Sequence, residues 1–195
     1  MKKIYFAIIA LAALTLASCE KEPIGGTAVQ ALAGQWYVSV DGYDSKGDSV
    51  VVPFFNVEEG YTETPHFLLL TYNNADNDPK KLVISDMESF WEFTVSVDCD
   101  VQSLTFGSAD SIPNELYDCM VSLKNGKIVK NGTTTPSGAK ADYIEFFIDF
   151  SDNDIYEIFG TGYEAYAGIS WGDIYGFDVF RISGWRYTGL VADDD

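Results

Sequence analysis

Phe90-Trp91-Glu92-Phe93-Thr94-Val95-Ser96-Val97-Asp98 is the stretch whose reading decides the fold class. Apolar and polar residues alternate through it, so Trp91, Phe93, Val95 and Val97 fall on one face of a strand and Glu92, Thr94, Ser96 and Asp98 on the other. Such alternation belongs to an antiparallel sheet with one buried and one wet side. Ile144, Phe146, Ile148 and Phe150 repeat it, as do Tyr175, Phe177 and Val179. Phe180 and Ile182 then shift the apolar parity by one, which predicts a bulge near Val179.

Working outward, β-branched and aromatic runs at residues 35–40, 49–57, 67–72, 82–85, 103–106, 117–123 and 127–130 are separated by turn clusters, and no stretch carries a sustained helical period. Pro53 lacks an amide hydrogen and marks an edge or a bulge. Asn125-Gly126 predicts a type I′ hairpin, because both central residues of that turn need positive φ. About ten strands in some 160 residues without βαβ spacing make the chain all-β, either a barrel or a two-layer sandwich.

The 195 residues carry 30 Asp and Glu against 12 Lys and Arg, a formal charge of −18. No basic face can be assembled to release counterions from a phosphate backbone, so nucleic acid is excluded as a partner. A content of 47% hydrophobic and 15% aromatic residues excludes a disordered acidic tail. The length suits one domain with a core that needs no staples.

The N-terminus sets the address. Lys2 and Lys3 precede an apolar run from Ile4 to Leu16, closed by Leu16-Ala17-Ser18-Cys19. A run of about 13 residues is a secretory leader rather than a span, which needs roughly 20. The closing tetrapeptide resembles the bacterial lipobox. That resemblance implies cleavage before Cys19 and acylation of its thiol and amine, which anchors the chain stably in a membrane. The expected organisation is a signal at residues 1–18, a lipid-anchored linker at 19–30 and a barrel domain at 31–192. Loss of Lys2 and Lys3 takes the charge from −18 to −20. Attachment then rests on acyl chains and not on a polybasic patch. Glu20-Lys21-Glu22 weakly resembles the export stretch of surface lipoproteins of Bacteroidetes, so an outer-membrane protein facing the periplasm or the cell surface is expected.

Leu32-Ala33-Gly34-Gln35-Trp36 resembles the Gly-x-Trp motif that opens lipocalin-type barrels. Gly184-Trp185-Arg186-Tyr187 supplies an arginine on the last strand. The resemblance implies structural roles for Gly34, Trp36 and Arg186, with the guanidinium stacked on the indole at a gain of roughly 0.5 to 2 kcal/mol. A narrower likeness runs through residues 33–38, 69–74, 89–93, 117–119, 125–128, 134–138 and 182–189. These motifs, in order, resemble the lipocalin-like lipoproteins of gut Bacteroidetes described as lipid-binding putative hydrolases. The resemblance implies a lipocalin-like antiparallel β-barrel of about 8 to 10 strands around an apolar ligand. Residues 154–174, rich in Tyr and Gly, depart from it in length.

In such a barrel Trp36, Val38, Trp91, Phe93, Val95, Ile144, Phe146 and Ile148 would line a ligand cavity, although the same side chains can simply fill a core. No catalytic set can be nominated. His66 is the only histidine, no Gly-x-Ser-x-Gly elbow exists, and a strand-start position after Pro65 suits a rim residue. One His and two non-lipid Cys make no usual zinc set. Asn74-Ala75-Asp76-Asn77-Asp78 has Pro79 where a calcium loop needs Gly and reads as a polar turn. Neither a metal nor a cofactor is implied. Outside the cytosol Cys99 and Cys119 favour a disulfide, with two buried free thiols as the alternative. The expected protein is a monomeric, non-catalytic binder of a lipid or small apolar ligand. A surface glycan-binding accessory using Tyr163, Tyr166, Trp171 and Tyr175 is the alternative, and an esterase a further one.

Overall fold

The computed structural model describes residues 26–56, 60–63, 66–152, 154 and 160–193. The leader, Cys19 and the charged stretch after it lie outside the described residues. In chain order the strands are β1 (Gly34–Tyr43), β2 (Ser49–Val50), β3 (Pro53–Asn56), β4 (Gly60–Glu63), β5 (His66–Asn73), β6 (Lys81–Ser85), β7 (Thr94–Asp100), β8 (Thr105–Gly107), β9 (Ile112–Pro113), β10 (Met120–Thr134), β11 (Lys140–Phe150) and β12 (Val179–Arg186). A helix, α1 (Trp171–Tyr175), sits in the connection between the last two strands.

Eight of these strands close an antiparallel barrel in the order β11-β12-β1-β5-β6-β7-β8-β10, with β10 returning to β11. Each barrel strand thus lies beside its sequence neighbour, the arrangement of an up-and-down barrel, in which closure removes the sheet edges. β2 extends the end of β1, β9 extends the start of β10, and β3 with β4 forms a separate hairpin opened by Pro53. Alternate residues point inward: Trp36, Val38 and Val40 on β1, Phe67 and Leu69 on β5, Ile144, Phe146, Ile148 and Phe150 on β11, and Phe180 and Ile182 on β12, all buried in one core.

Five expectations are corrected. Phe90 to Phe93 is a loop, and β7 begins at Thr94. The carboxylate of Asp86 takes the amide hydrogens of Phe90, Trp91 and Phe93 that a strand would spend on its ladder, and Glu92 turns the chain at φ 52°. Asn125-Gly126 makes no hairpin, because β10 runs straight through it. The pair is a bulge, with Asn125 at φ 55° and a register shift between Lys124 and Lys127. The odd spacing between Leu123 and Ile128 requires that extra residue if both are to stay inside, and a Cβ on Gly126 would collide with the Phe106 ring.

Tyr175 and Phe177 are not strand residues. Ser170 and Asp173 form a reciprocal capping box that starts α1, and Gly176 ends it at φ 81°. β12 then pairs without interruption from Val179 to Arg186, so there is no bulge near Val179. Finally, Cys99 and Cys119 are both free thiols. Cys119 lies at the Thr94 end of β7, since Asn114 bonds both Thr94 N and Cys119 O. Cys99 is five residues further along that strand, about 16 Å at 3.3 Å per residue. A disulfide spans no more than about 7 Å between Cα atoms.

Candidate ligand-binding site

One end of the barrel, its base, is closed by the turn at residues 28–32. Val29 and Leu32 are fully buried there beneath Trp36. The indole Nε1 donates to Thr71 Oγ1 at 2.9 Å, and that hydroxyl donates in turn to Leu32 O at 2.7 Å. Arg186 lies over the indole face at 4.4 Å and donates through Nη1 to Ala33 O at 3.0 Å and through Nε to Asp142 at 3.2 Å. A Cβ on Gly34 would occupy the position of the guanidinium, which is why glycine stands two residues before the tryptophan. Burial works against ionisation of Asp142, but bonds from Lys130, the Asn131 amide and Arg186 outweigh it and hold its pKa down.

Above this floor seven of the eight nominated ligand residues meet in the barrel interior, where their side chains fill a packed core. Trp36, Val38, Phe93, Val95, Ile144, Phe146 and Ile148 are brought together, each fully buried in the same core. Trp91 stands apart at the opposite end, half-buried in the β6–β7 loop. Two surface concavities of about 530 and 520 Å³ lie outside this interior, one beside Cys99 and Gly126, the other between Lys46 and α1.

The mouth carries an aromatic roof. The Phe90 ring centroid is 5.8 Å from Phe67, 5.5 Å from Trp91 and 5.3 Å from Phe180. Trp91 stacks on Phe150 at 4.9 Å with the planes 13° apart, and Phe177 closes on Phe180 at 4.8 Å. The loop presenting Phe90 and Trp91 is wound around Asp86, which is fully buried. Its Oδ1 accepts from Glu88 N and Phe93 N, its Oδ2 from Phe90 N and Trp91 N, at 2.8 to 3.0 Å. Met87, Glu88 and Glu92 all hold positive φ, a concentration of backbone strain in non-glycine residues within the loop that Asp86 anchors.

A second carboxylate ties this loop to the end of β11. Asp152 accepts from Trp91 Nε1 at 3.1 Å, Tyr117 OH at 2.7 Å and Cys119 Sγ at 3.0 Å. Burial opposes its charge, yet the three donors outweigh burial and keep its pKa low. Burial and the adjacent carboxylate push the Tyr117 phenol and the Cys119 thiol up, so both remain protonated donors rather than nucleophiles.

His66 projects from the outside of the wall, its ring flat against Tyr37 at 5.0 Å and 6.0 Å from Trp185. Ser39 faces it across the β1–β5 ladder, but the Ser39 hydroxyl donates to Ser183 O. Burial lowers the His66 pKa. Tyr163 and Tyr166 are exposed, whereas Trp171 is buried. Among the described residues no group of three His, Cys, Asp or Glu side chains could hold a metal ion.

Residues 21–191 match the family model described as lipid-binding putative hydrolase. The chain belongs to this family. The match spans the whole barrel, from its base to its mouth, and accounts for a fold built to enclose an apolar interior. Comparison with curated proteins finds no significant match. Within the family's barrel, the reading of the sequence alone missed Asp86, Asp152, Phe90 and Phe67 as mouth residues. Asp86 could have been found, since Asp followed by Met-Glu-Ser is a loop-capping pattern between two strands.

Proposed function

We propose that the chain is a cell-envelope lipoprotein, held to the outer membrane by acyl chains on Cys19, whose barrel takes up a lipid or other small apolar ligand without catalysing its conversion. The observation that carries this reading is the aromatic roof, in which Phe90 and Trp91 close the barrel from a strained loop rather than from a strand. The floor is locked by Trp36 and Arg186, so entry falls to the mouth. A ligand would displace Phe90 from between Phe67 and Phe180 and exchange ring contacts for its own chain. The interior it would meet is wholly apolar at Phe93, Phe146 and Ile148. Such burial contributes about 25 cal/mol per Å². The domain division of signal, linker and barrel, and a monomeric state, belong to the same proposal.

The non-catalytic part rests on the chemistry of the groups at hand. The mouth holds a carboxylate already committed to three donors, a protonated thiol and a protonated phenol, while the imidazole lies flat on Tyr37 on the outer wall. A base must sit within hydrogen-bond reach of the nucleophile it activates. The test is a titration of the purified mature chain with the neutral apolar probe N-phenyl-naphthylamine. Saturable one-to-one binding that a Phe90→Asp variant loses is expected, and absence of saturable binding overturns the reading. Ester turnover that disappears in Ser39→Ala or His66→Ala would overturn its non-catalytic half.

A further inference from the structure

The barrel is electrically polarised along its axis. The segments at the mouth, residues 44–48, 86–93, 108–119, 149–154 and 160–178, carry fourteen Asp and Glu against Lys46 alone. The segments at the base, residues 26–33, 73–82, 98–105, 127–142 and 186–193, carry six acids and six bases, and Asp194 and Asp195, next in sequence, add only two more acids. The chain enters at the base as well. Ala28 N donates to Asn77 Oδ1 in the β5–β6 turn, and Val29 and Leu32 pack under Trp36.

We infer that the barrel stands on its membrane base-down, with the mouth directed away from the anchoring leaflet, so that ligand is exchanged through the aqueous phase and not by lateral entry from that leaflet. The inference rests on the proposed anchor at Cys19. Six residues separate Cys19 from Gly26, and the seven Cα–Cα steps reach about 25 Å when fully extended. A strand as long as β1 rises roughly 33 Å, so even allowing for strand tilt the tether would have to run taut along the wall to bring the mouth to the bilayer. Charge works in the same direction. An anionic leaflet repels the mouth far more strongly than the nearly balanced base, a difference felt within a Debye length of about 8 Å. An arriving ligand with an anionic head meets the same field, which favours uncharged or cationic amphiphiles.

The experiment uses the full chain, extracted with its anchor from membranes and reconstituted into vesicles of phosphatidylethanolamine and phosphatidylglycerol. A fluorophore is attached through an azide-bearing residue placed at Lys80, on the base, or at Tyr163, on the mouth, and quenched by an acceptor on the lipid head groups. Quenching at Lys80 several-fold stronger than at Tyr163 is expected. Equal or stronger quenching at Tyr163, on protein that floats with the vesicles, overturns the orientation. Protein that does not float overturns the anchor on which it rests, and the two failures are distinguished by flotation alone.

Discussion

Asp86→Asn should loosen the mouth while leaving the barrel wall in place. The native carboxylate is fully buried and accepts four backbone amides, two on each oxygen. An asparagine keeps one oxygen and its two bonds. Its amide group then faces two N–H donors, which lose their acceptor in a site that water does not reach. Hydrogen bonds to a charged group contribute about 1.5 to 3 kcal/mol each, so the loss of two amounts to at least about 3 kcal/mol. In a domain of this size 1 kcal/mol moves Tm by roughly 2 to 4 °C, giving a fall of about 6 to 12 °C. Thermal unfolding followed by near-ultraviolet circular dichroism measures the fall. Amide exchange read by mass spectrometry should accelerate over residues 87–93 and stay unchanged in β1 and β12. A destabilisation under about 0.5 kcal/mol, or exchange that rises equally across the barrel, would refute the role given to Asp86.

Arg186→Met removes the guanidinium from the Trp36 face and the bond to Ala33 O, at a cost of about 2 kcal/mol, and chemical denaturation should show it together with a shift in indole emission. Asp193 is buried at the base, where burial opposes ionisation but bonds from Thr188 and Ser137 prevail and hold its pKa at about 2. Because the folded value lies below the ordinary one, its contribution is present above about pH 4 and is lost as pH falls toward 2. Acid unfolding of Asp193→Asn should therefore lack part of the stability that the native chain sheds in that window. Thiol titration of the unreduced, denatured mature chain should find Cys99 and Cys119 both reactive, and a count of none would restore the disulfide.

Much of the barrel was legible because its inward residues recur at a spacing of two. Trp36, Val38, Ile144, Phe146 and Ile148 are where that period puts them, and the arginine of Gly184-Trp185-Arg186 meets Trp36 as the family likeness implied. The period misleads where side-chain hydrogen bonds compete with the ladder. Residues 90–93 alternate as a strand does, yet Asp86 captures their amides from outside the alternating stretch. Tyr175, Phe177 and Val179 alternate equally well, but Ser170, Asp173 and Gly176 set a helix that ends at Tyr175, and only Val179 lies in a strand. Asn125 holds the positive φ that a type I′ turn needs, but Gly126 does not, and the pair makes a bulge within β10 instead of a turn. The mouth was legible in Trp91 alone. Its other members come from strands and loops far apart in sequence, and no local pattern joins Asp152 to Trp91 or Phe67 to Phe180.

Native mass spectrometry of the chain purified from its host membranes, followed by lipid extraction, tests the central claim most directly. One bound apolar or amphipathic molecule per chain, with occupancy lost in Phe90→Asp while the fold is retained, is the predicted result. A chain that carries no such molecule, and takes none up from added lipid extract, would contradict it.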